Sequence, residues 1–238
     1  MRFAPTLSQL LDYLQVVCLA LFLLIILERT LSIRLRSRVN PIRLGVGRDG
    51  VRHSIVFLLF LGVNLWAAMV LIYALHIRRG FLPLLLGEPQ VSSIGVKLLG
   101  LVLVVLGFVI FLLSLASLGN SWRLGIDENN PGELVTSGIY GLSRNPIYVF
   151  FDLYFVGTFL LNGAPIFALL ALLIGLTLHL QILQEERFLL RAFGQAYRAY
   201  CARTGRYITW QPLSRGEKPA PQTAPRPPTL PADPGGHC

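Results

Sequence analysis

Of 238 residues, 54% are apolar and only 14% charged, and the mean hydropathy is positive, a balance that excludes a water-soluble domain and defines an integral membrane protein. A net charge of +9 would suggest nucleic acid for a soluble chain. Here the arginines cluster between apolar runs, where they set orientation and meet anionic lipid, so the partner is the bilayer and not nucleic acid. Cys18, Cys201 and Cys238 show no C-x-x-C spacing, and Cys18 lies within an apolar run, so neither a disulfide framework nor a zinc site is indicated.

The first apolar run, about Leu10 to Leu27, is close to the roughly 20 residues a helix needs to cross the hydrocarbon core. It reads as a retained span and not a secretory signal: the n-region offers only Arg2, no small-residue cleavage site follows, and Glu28-Arg29 stops the run. An arginine-dense loop follows, with Arg29, Arg34, Arg36, Arg38, Arg43, Arg48 and Arg52. Its Gly45-Val46-Gly47-Arg48-Asp49-Gly50 matches G-x-G-x-x-G but lacks the preceding strand and βαβ context of a dinucleotide site, and reads as a surface turn. The second run is about Ser54 to His76, Gly80 to Pro89 is a connector, and the third run is about Val91 to Leu118, with Lys97 placed to snorkel. A polar passage opens at Gly119–Gly125, and Gly132–Tyr148 (G-E-L-V-T-S-G-I-Y-G-L-S-R-N-P-I-Y) is the turn-rich, aromatic stretch wedged between apolar segments.

From Ile147 the chain is apolar again, broken at Asn162-Gly163-Ala164-Pro165, which predicts a helical hairpin. The first arm, about Ile147 to Leu161, is short for a crossing; the second runs about Ile166 to Leu183. The run ends in charge at Gln184-Glu185-Glu186-Arg187, and Glu185 to about Ala202 has the three- and four-residue spacing of an amphipathic helix along the interface. Residues 1–210 form the membrane-embedded domain, and the proline-rich remainder, 211–238, reads as a disordered cytoplasmic tail. The fold class is all-α, with about five transmembrane helices, the last two a hairpin, and a C-terminal interfacial helix. Lysine and arginine alternate between loops as five spans require if the N-terminus lies outside and the C-terminus in the cytoplasm, here of a bacterial inner membrane. The polar turn and the acidic pair then share the cytoplasmic face.

L-V-T-S-G-I-Y-G-L-S-R-N-P-I-Y, an apolar hairpin, and then E-E-R-F-L-L-R-A-F-G-Q-A-Y-R-A-Y resembles the isoprenylcysteine carboxyl methyltransferase family and its bacterial and phospholipid-methyltransferase relatives, over about Ser114 to Trp210. The resemblance implies a membrane enzyme that transfers a methyl group from S-adenosylmethionine to a lipophilic or small-molecule acceptor. By position it implies a cofactor site of Glu133, Leu134, Val135, Tyr140, Asn145, Pro146, Ile147, Tyr148 and Glu185. Asn145 stands where the family commonly has histidine. Gln181, one turn before Glu185, stands where the eukaryotic prenylcysteine enzymes have an arginine serving the acceptor, which favours a different or neutral acceptor.

The residue types suit that chemistry. Displacement from a sulfonium needs positioning and exclusion of water, with no nucleophilic side chain. Glu185 suits an ammonium, Arg144 or backbone N–H groups a carboxylate, and Tyr140 or Tyr148 a sulfonium, so Arg144 and Tyr148 are the expected catalytic pair. Without the resemblance, Arg144 and Arg187 read first as interfacial anchors, and Glu185-Glu186 read equally as the solvated first turn of a surface helix. Asp152, one turn beyond Tyr148, is either an acceptor-binding group with Gln181 or a structural hydrogen-bonding residue, and His179 reads as an interior polar residue. A phospholipid or thiol methyltransferase of the same fold, a nicotinamide-dependent membrane reductase and a non-catalytic membrane protein are the alternatives.

Overall fold

A computed structural model describes residues 7–37, 50–75, 93–119 and 133–209. Most of the arginine-dense loop with its glycine pattern, the connector at 80–89, the passage at 120–132, Trp210 and the proline-rich tail with Cys238 lie outside the described residues. The described helices are α1 (Leu7–Ser37), α2 (Gly50–Ala74), α3 (Ile94–Leu118), α4 (Pro146–Asn162), α5 (Pro165–Phe193) and α6 (Gln195–Arg203), with a 3-10 turn at Gly138–Gly141. No strand occurs among the described residues, in keeping with the all-α expectation.

Among the described residues, four helices are long and apolar enough to cross a membrane, within Gln9–Ser32, His53–Ala74, Ile94–Leu118 and Pro165–Phe193; Pro146–Asn162 is a shorter apolar helix. At 1.5 Å per residue, α4 is about 26 Å long, under the roughly 30 Å of a hydrocarbon core. Leu24, Phe60, Val102 and Leu172 point outward with more than half of their surface exposed, as side chains facing lipid do.

Two boundaries differ from expectation. α1 continues past Glu28-Arg29 to Ser37, and α5 continues through Glu185-Glu186 to Phe193. Charge does not stop a helix, because Glu, Arg and Leu are all good helix formers. What stops α5 is Gly194, at φ 52, where any side chain would be strained. The amphipathic segment expected from Glu185 is therefore two pieces: the last two turns of α5 and the short α6.

α3 and α4 approach most closely, and glycine allows it. A Cβ on Gly100 would stand 2.6 Å from the Gly157 carbonyl, and one on Gly157 would stand 2.7 Å from the Gly100 carbonyl. Beside this contact Phe111 stacks on Phe150 at 4.7 Å, and Trp66 meets Phe155 and Phe167 edge-on at 4.7 and 5.1 Å. At one end of the bundle, buried Asn162 Nδ2 donates to Gln15 Oε1 (2.6 Å), tying α4 to α1. At the other end, Arg29 donates to the Leu115 carbonyl (3.0 Å), so the C-terminal ends of α1 and α3 meet near the N-terminus of α4 and the polar turn.

Candidate active site

The polar turn is shaped before any charge enters it. Gly138 takes φ 63 beside Ser117, where a Cβ would stand 2.6 Å from the serine hydroxyl oxygen, so the position requires glycine. Ser143 Oγ then accepts the Asn145 amide (3.1 Å), and Pro146 starts α4 at a position where the missing N–H costs nothing. Residues 204–209 form a strap laid across this turn. The Arg144 amide donates to the Gly205 carbonyl (3.0 Å) and the Thr209 amide to the Leu142 carbonyl (2.8 Å). Ser143 Oγ and Asn145 Nδ2 both donate to the Arg206 carbonyl, at 3.3 and 3.2 Å.

The two glutamates divide the site between them. Glu186 is the hub: Arg206 Nε and an Nη donate to Oε2 at 3.0 and 2.7 Å, while Arg144 and Asn145 Nδ2 reach Oε1 at 3.2 and 3.3 Å. Arg144 and Glu186 are each 12% exposed, so the charges are compensated largely away from water. The hydrogen bond to Glu186 raises the pKa of Arg206 further and keeps it charged. Glu185 faces a different set: Tyr148 OH donates to its Oε1 (2.7 Å), and Gln181 Nε2 lies 3.5 Å from the same oxygen. Tyr140 is buried nearby, and its carbonyl accepts the Tyr200 hydroxyl at 2.6 Å. Burial, then the neighbouring Tyr200 and Glu185, holds the Tyr140 phenol far above its ordinary pKa, so it remains a neutral hydrogen-bonding group.

Two cavities border this framework. The first, about 420 Å³, is walled by Arg144, Glu186, Arg187, Tyr197, Arg198 and Arg206, with Leu183, Leu190 and Cys201 completing it. Arg144 also hydrogen-bonds the Cys201 sulfur, and its buried Nε has no hydrogen-bond partner among the described residues. The second, about 390 Å³, is lined by Val149, Asp152, Leu153, Val156, Tyr207 and Ile208. Arg206 and Tyr207 are consecutive on the strap, yet one lines each cavity.

Measured against the sequence expectations, Arg144, Asn145, Tyr148, Glu185 and Gln181 come together, with Tyr140 beside them. Pro146 and Ile147 open α4 at the same place. Glu133 is exposed, and Leu134 and Val135 are half-buried in the extended lead into the turn. Asp152 lies apart, in the second cavity. Sequence reasoning missed Glu186 as the hub, and it missed Arg206 and Tyr207, whose signal was only a short Thr204–Trp210 stretch closing the folded part.

The fold and site define an all-helical integral membrane protein with an ionic, tyrosine-rich site gathered at one end of its bundle. A family model described as phospholipid methyltransferase matches residues 96–196, from the first turn of α3 into α6, so the resemblance carried by the motifs is borne out and begins earlier than Ser114. Over 136 residues the chain is 35% identical to the cobalt-zinc-cadmium resistance protein CzcN of Cupriavidus metallidurans, covering 56% of this chain and 60% of that protein. Over 108 residues it is 32% identical to the probable protein-S-isoprenylcysteine O-methyltransferases of Oryza sativa subspecies indica and japonica, covering 44% of this chain and 56% of each. The chain thus spans 56 to 60% of the length of these curated relatives.

Proposed function

We propose that this protein is an S-adenosylmethionine-dependent membrane methyltransferase acting on a lipophilic or small acceptor, with its N-terminus outside a bacterial inner membrane and its site at the cytoplasmic face. The observation that carries the reading is the meeting of the Arg144–Tyr148 turn with both glutamates of the α5 pair, within a segment matched by the methyltransferase family model. The rice relatives are themselves named as probable methyltransferases.

The donor set fits the cofactor. The first cavity, lined by Arg144 with Glu185, Tyr148 and Tyr140 outside its lining, falls within the roughly 300–1,000 Å³ typical of small-molecule sites. Its four arginines against one glutamate favour a carboxylate and disfavour a sulfonium, and the buried Arg144 Nε is a donor awaiting an acceptor. Glu185, with Tyr148 and Tyr140 beside it, provides the anionic and aromatic surface that an ammonium and a sulfonium prefer. The carboxylate end is therefore held by Arg144 and the ammonium by Glu185, while Asn145, Pro146 and Ile147 shape the floor and Glu133 to Val135 its approach. When bound, S-adenosylmethionine supplies an already activated methyl group, so the chain's task is to orient two reactants and exclude water. Tyr148, fixed by Glu185, orients; Gln181 and Asp152 are on the acceptor's side.

Calorimetric titration of S-adenosylmethionine into purified protein tests the assignment. Glu185→Gln and Tyr148→Ala each weaken binding while membrane insertion is retained; unchanged affinity in both variants overturns it. Methyl-labelled donor offered with prenylcysteines, phosphatidylethanolamine, fatty acids and small thiols then identifies the acceptor.

A further inference from the structure

α2 carries a polar side chain at the depth where a bilayer has nothing to pair with it. Its apolar span is His53–Ala74, and Asn64 stands about 15 Å from either end, at the middle of the hydrocarbon. The side chain is exposed. Trp66, two residues on and so about 200° round the helix, is 1% exposed and packs on Phe155 and Phe167, which turns Asn64 away from the bundle. With a single methylene, asparagine cannot snorkel to the interface as lysine or arginine does.

The amide is only partly satisfied. Nδ2 donates to the Phe60 carbonyl one turn back (2.7 Å), its one hydrogen bond among the described residues, which leaves an N–H and the Oδ1 acceptor toward acyl chains. Thr177 of α5 makes the same kind of bond, to the Leu173 carbonyl (2.7 Å), and is finished as a donor, because a hydroxyl has one proton. Inside the bundle an amide is completed by another amide across a helix contact, as Asn162 of α4 is by Gln15 of α1. Around Asn64 the exposed surface of α2 runs Phe57, Leu61, Asn64, Ala68, Leu71, in alternating steps of four and three. That spacing is the seam of a left-handed helix pair, and the small Ala68 beside the amide lets a partner backbone come close.

We propose that this seam docks on the same seam of a second copy of the chain, with the two Asn64 amides hydrogen-bonded to each other on a two-fold axis along the membrane normal. All copies insert with one orientation, so the second amide arrives at the same depth. The N–H and oxygen left over on each are complementary to themselves under a two-fold rotation, each amide giving one hydrogen bond and taking one. Lipid tails offer neither a donor nor an acceptor, and an unlike helix would need its own polar group at the centre of an apolar span. None of this depends on the reaction catalysed.

Energy transfer between donor- and acceptor-labelled full chains in phosphatidylcholine vesicles, followed as protein is diluted in lipid, tests the pairing. The wild-type chain forms a dimer that dissociates on dilution. Asn64→Leu removes two hydrogen bonds from the seam and weakens the dimer about tenfold, while Asn64→Gln, which keeps an amide, retains most of the affinity. Thermal unfolding of Asn64→Leu stays at or above that of the wild type, because the side chain faces lipid. Cross-linking keeps Asn64 and so stands apart from that variant. With Cys18, Cys201 and Cys238 replaced by serine, Ala68→Cys forms an intermolecular disulfide on mild oxidation in membranes. Leu106→Cys, exposed at the middle of α3, gives the rate of random collision at the same depth. A wild-type chain that stays monomeric as lipid is withdrawn, or a dimer as tight in Asn64→Leu, overturns the proposal. So does Ala68→Cys cross-linking no faster than Leu106→Cys, or to a different protein.

Discussion

Replacing Glu186 by Gln keeps its shape and removes its charge, which isolates what the carboxylate does. The carboxylate holds Arg144, 12% exposed, and Arg206, 35% exposed. Stripping a partner from a buried ion costs about 3–5 kcal/mol, whereas an exposed pair is worth only about 0.2–1 kcal/mol, so the Arg144 side dominates. A glutamine oxygen still accepts one bond, which places the loss near the low end, about 3 kcal/mol. That loss falls on the contacts between strap and turn and not on the apolar bundle, so it is read as local opening. Three kilocalories correspond to roughly a hundredfold change in an opening equilibrium. Hydrogen exchange read by mass spectrometry is expected to show the Arg144 and Thr209 amides, which donate across the strap, exchanging about a hundredfold faster while the centres of α3 and α5 are unchanged. Arg144→Gln added to Glu186→Gln restores part of the protection, because no buried charge is then left alone. Strap exchange unchanged in Glu186→Gln, or acceleration spread evenly over every helix, refutes the reasoning.

Other substitutions probe the frame. Gly157→Ala places a Cβ 2.7 Å from the Gly100 carbonyl and 2.8 Å from Val104 Cγ2, and is expected to cost about 1–3 kcal/mol of overpacking in thermal unfolding, whereas Gly50→Ala, with no atom of the described residues within 4 Å of its Cβ, leaves the transition in place. Gly205→Ala drives a Cβ to 2.5 Å from the Ile208 carbonyl and should loosen the strap by exchange without moving the global transition. Tyr200→Phe leaves the buried Tyr140 carbonyl without its donor at about 1–3 kcal/mol, detectable as a lowered unfolding midpoint in detergent.

The bundle was legible because membrane spans are written in composition: an apolar run of sufficient length, glycine and proline at its ends, and arginine outside it. Glu28 and Glu185-Glu186 were misread as stops because hydropathy marks where a helix leaves the apolar phase, not where its hydrogen bonding ends. The floor of the site was legible through its motif, since Arg144 to Tyr148 are adjacent in sequence and a turn can display them together. The acidic pair was foreseen beside the turn, but a role was assigned only to Glu185: neighbouring residues on a helix point about 100° apart, and only the packing of α5 decides which one meets the arginines.

The sequence by itself determined that the chain is helical and membrane-embedded, that one segment resembles the phospholipid-methyltransferase family, and that charge gathers where the apolar runs end. Each of these follows from short-range pattern, which the bilayer's intolerance of unpaired backbone converts directly into structure. Tertiary structure alone decided that Arg206 and Tyr207, remote from the motif, return as a strap across it, that Glu186 clamps that strap, and that two cavities of opposite character lie on its two sides. Those contacts join residues some 20 to 60 positions apart through directions fixed only once the helices pack, and no local periodicity encodes them.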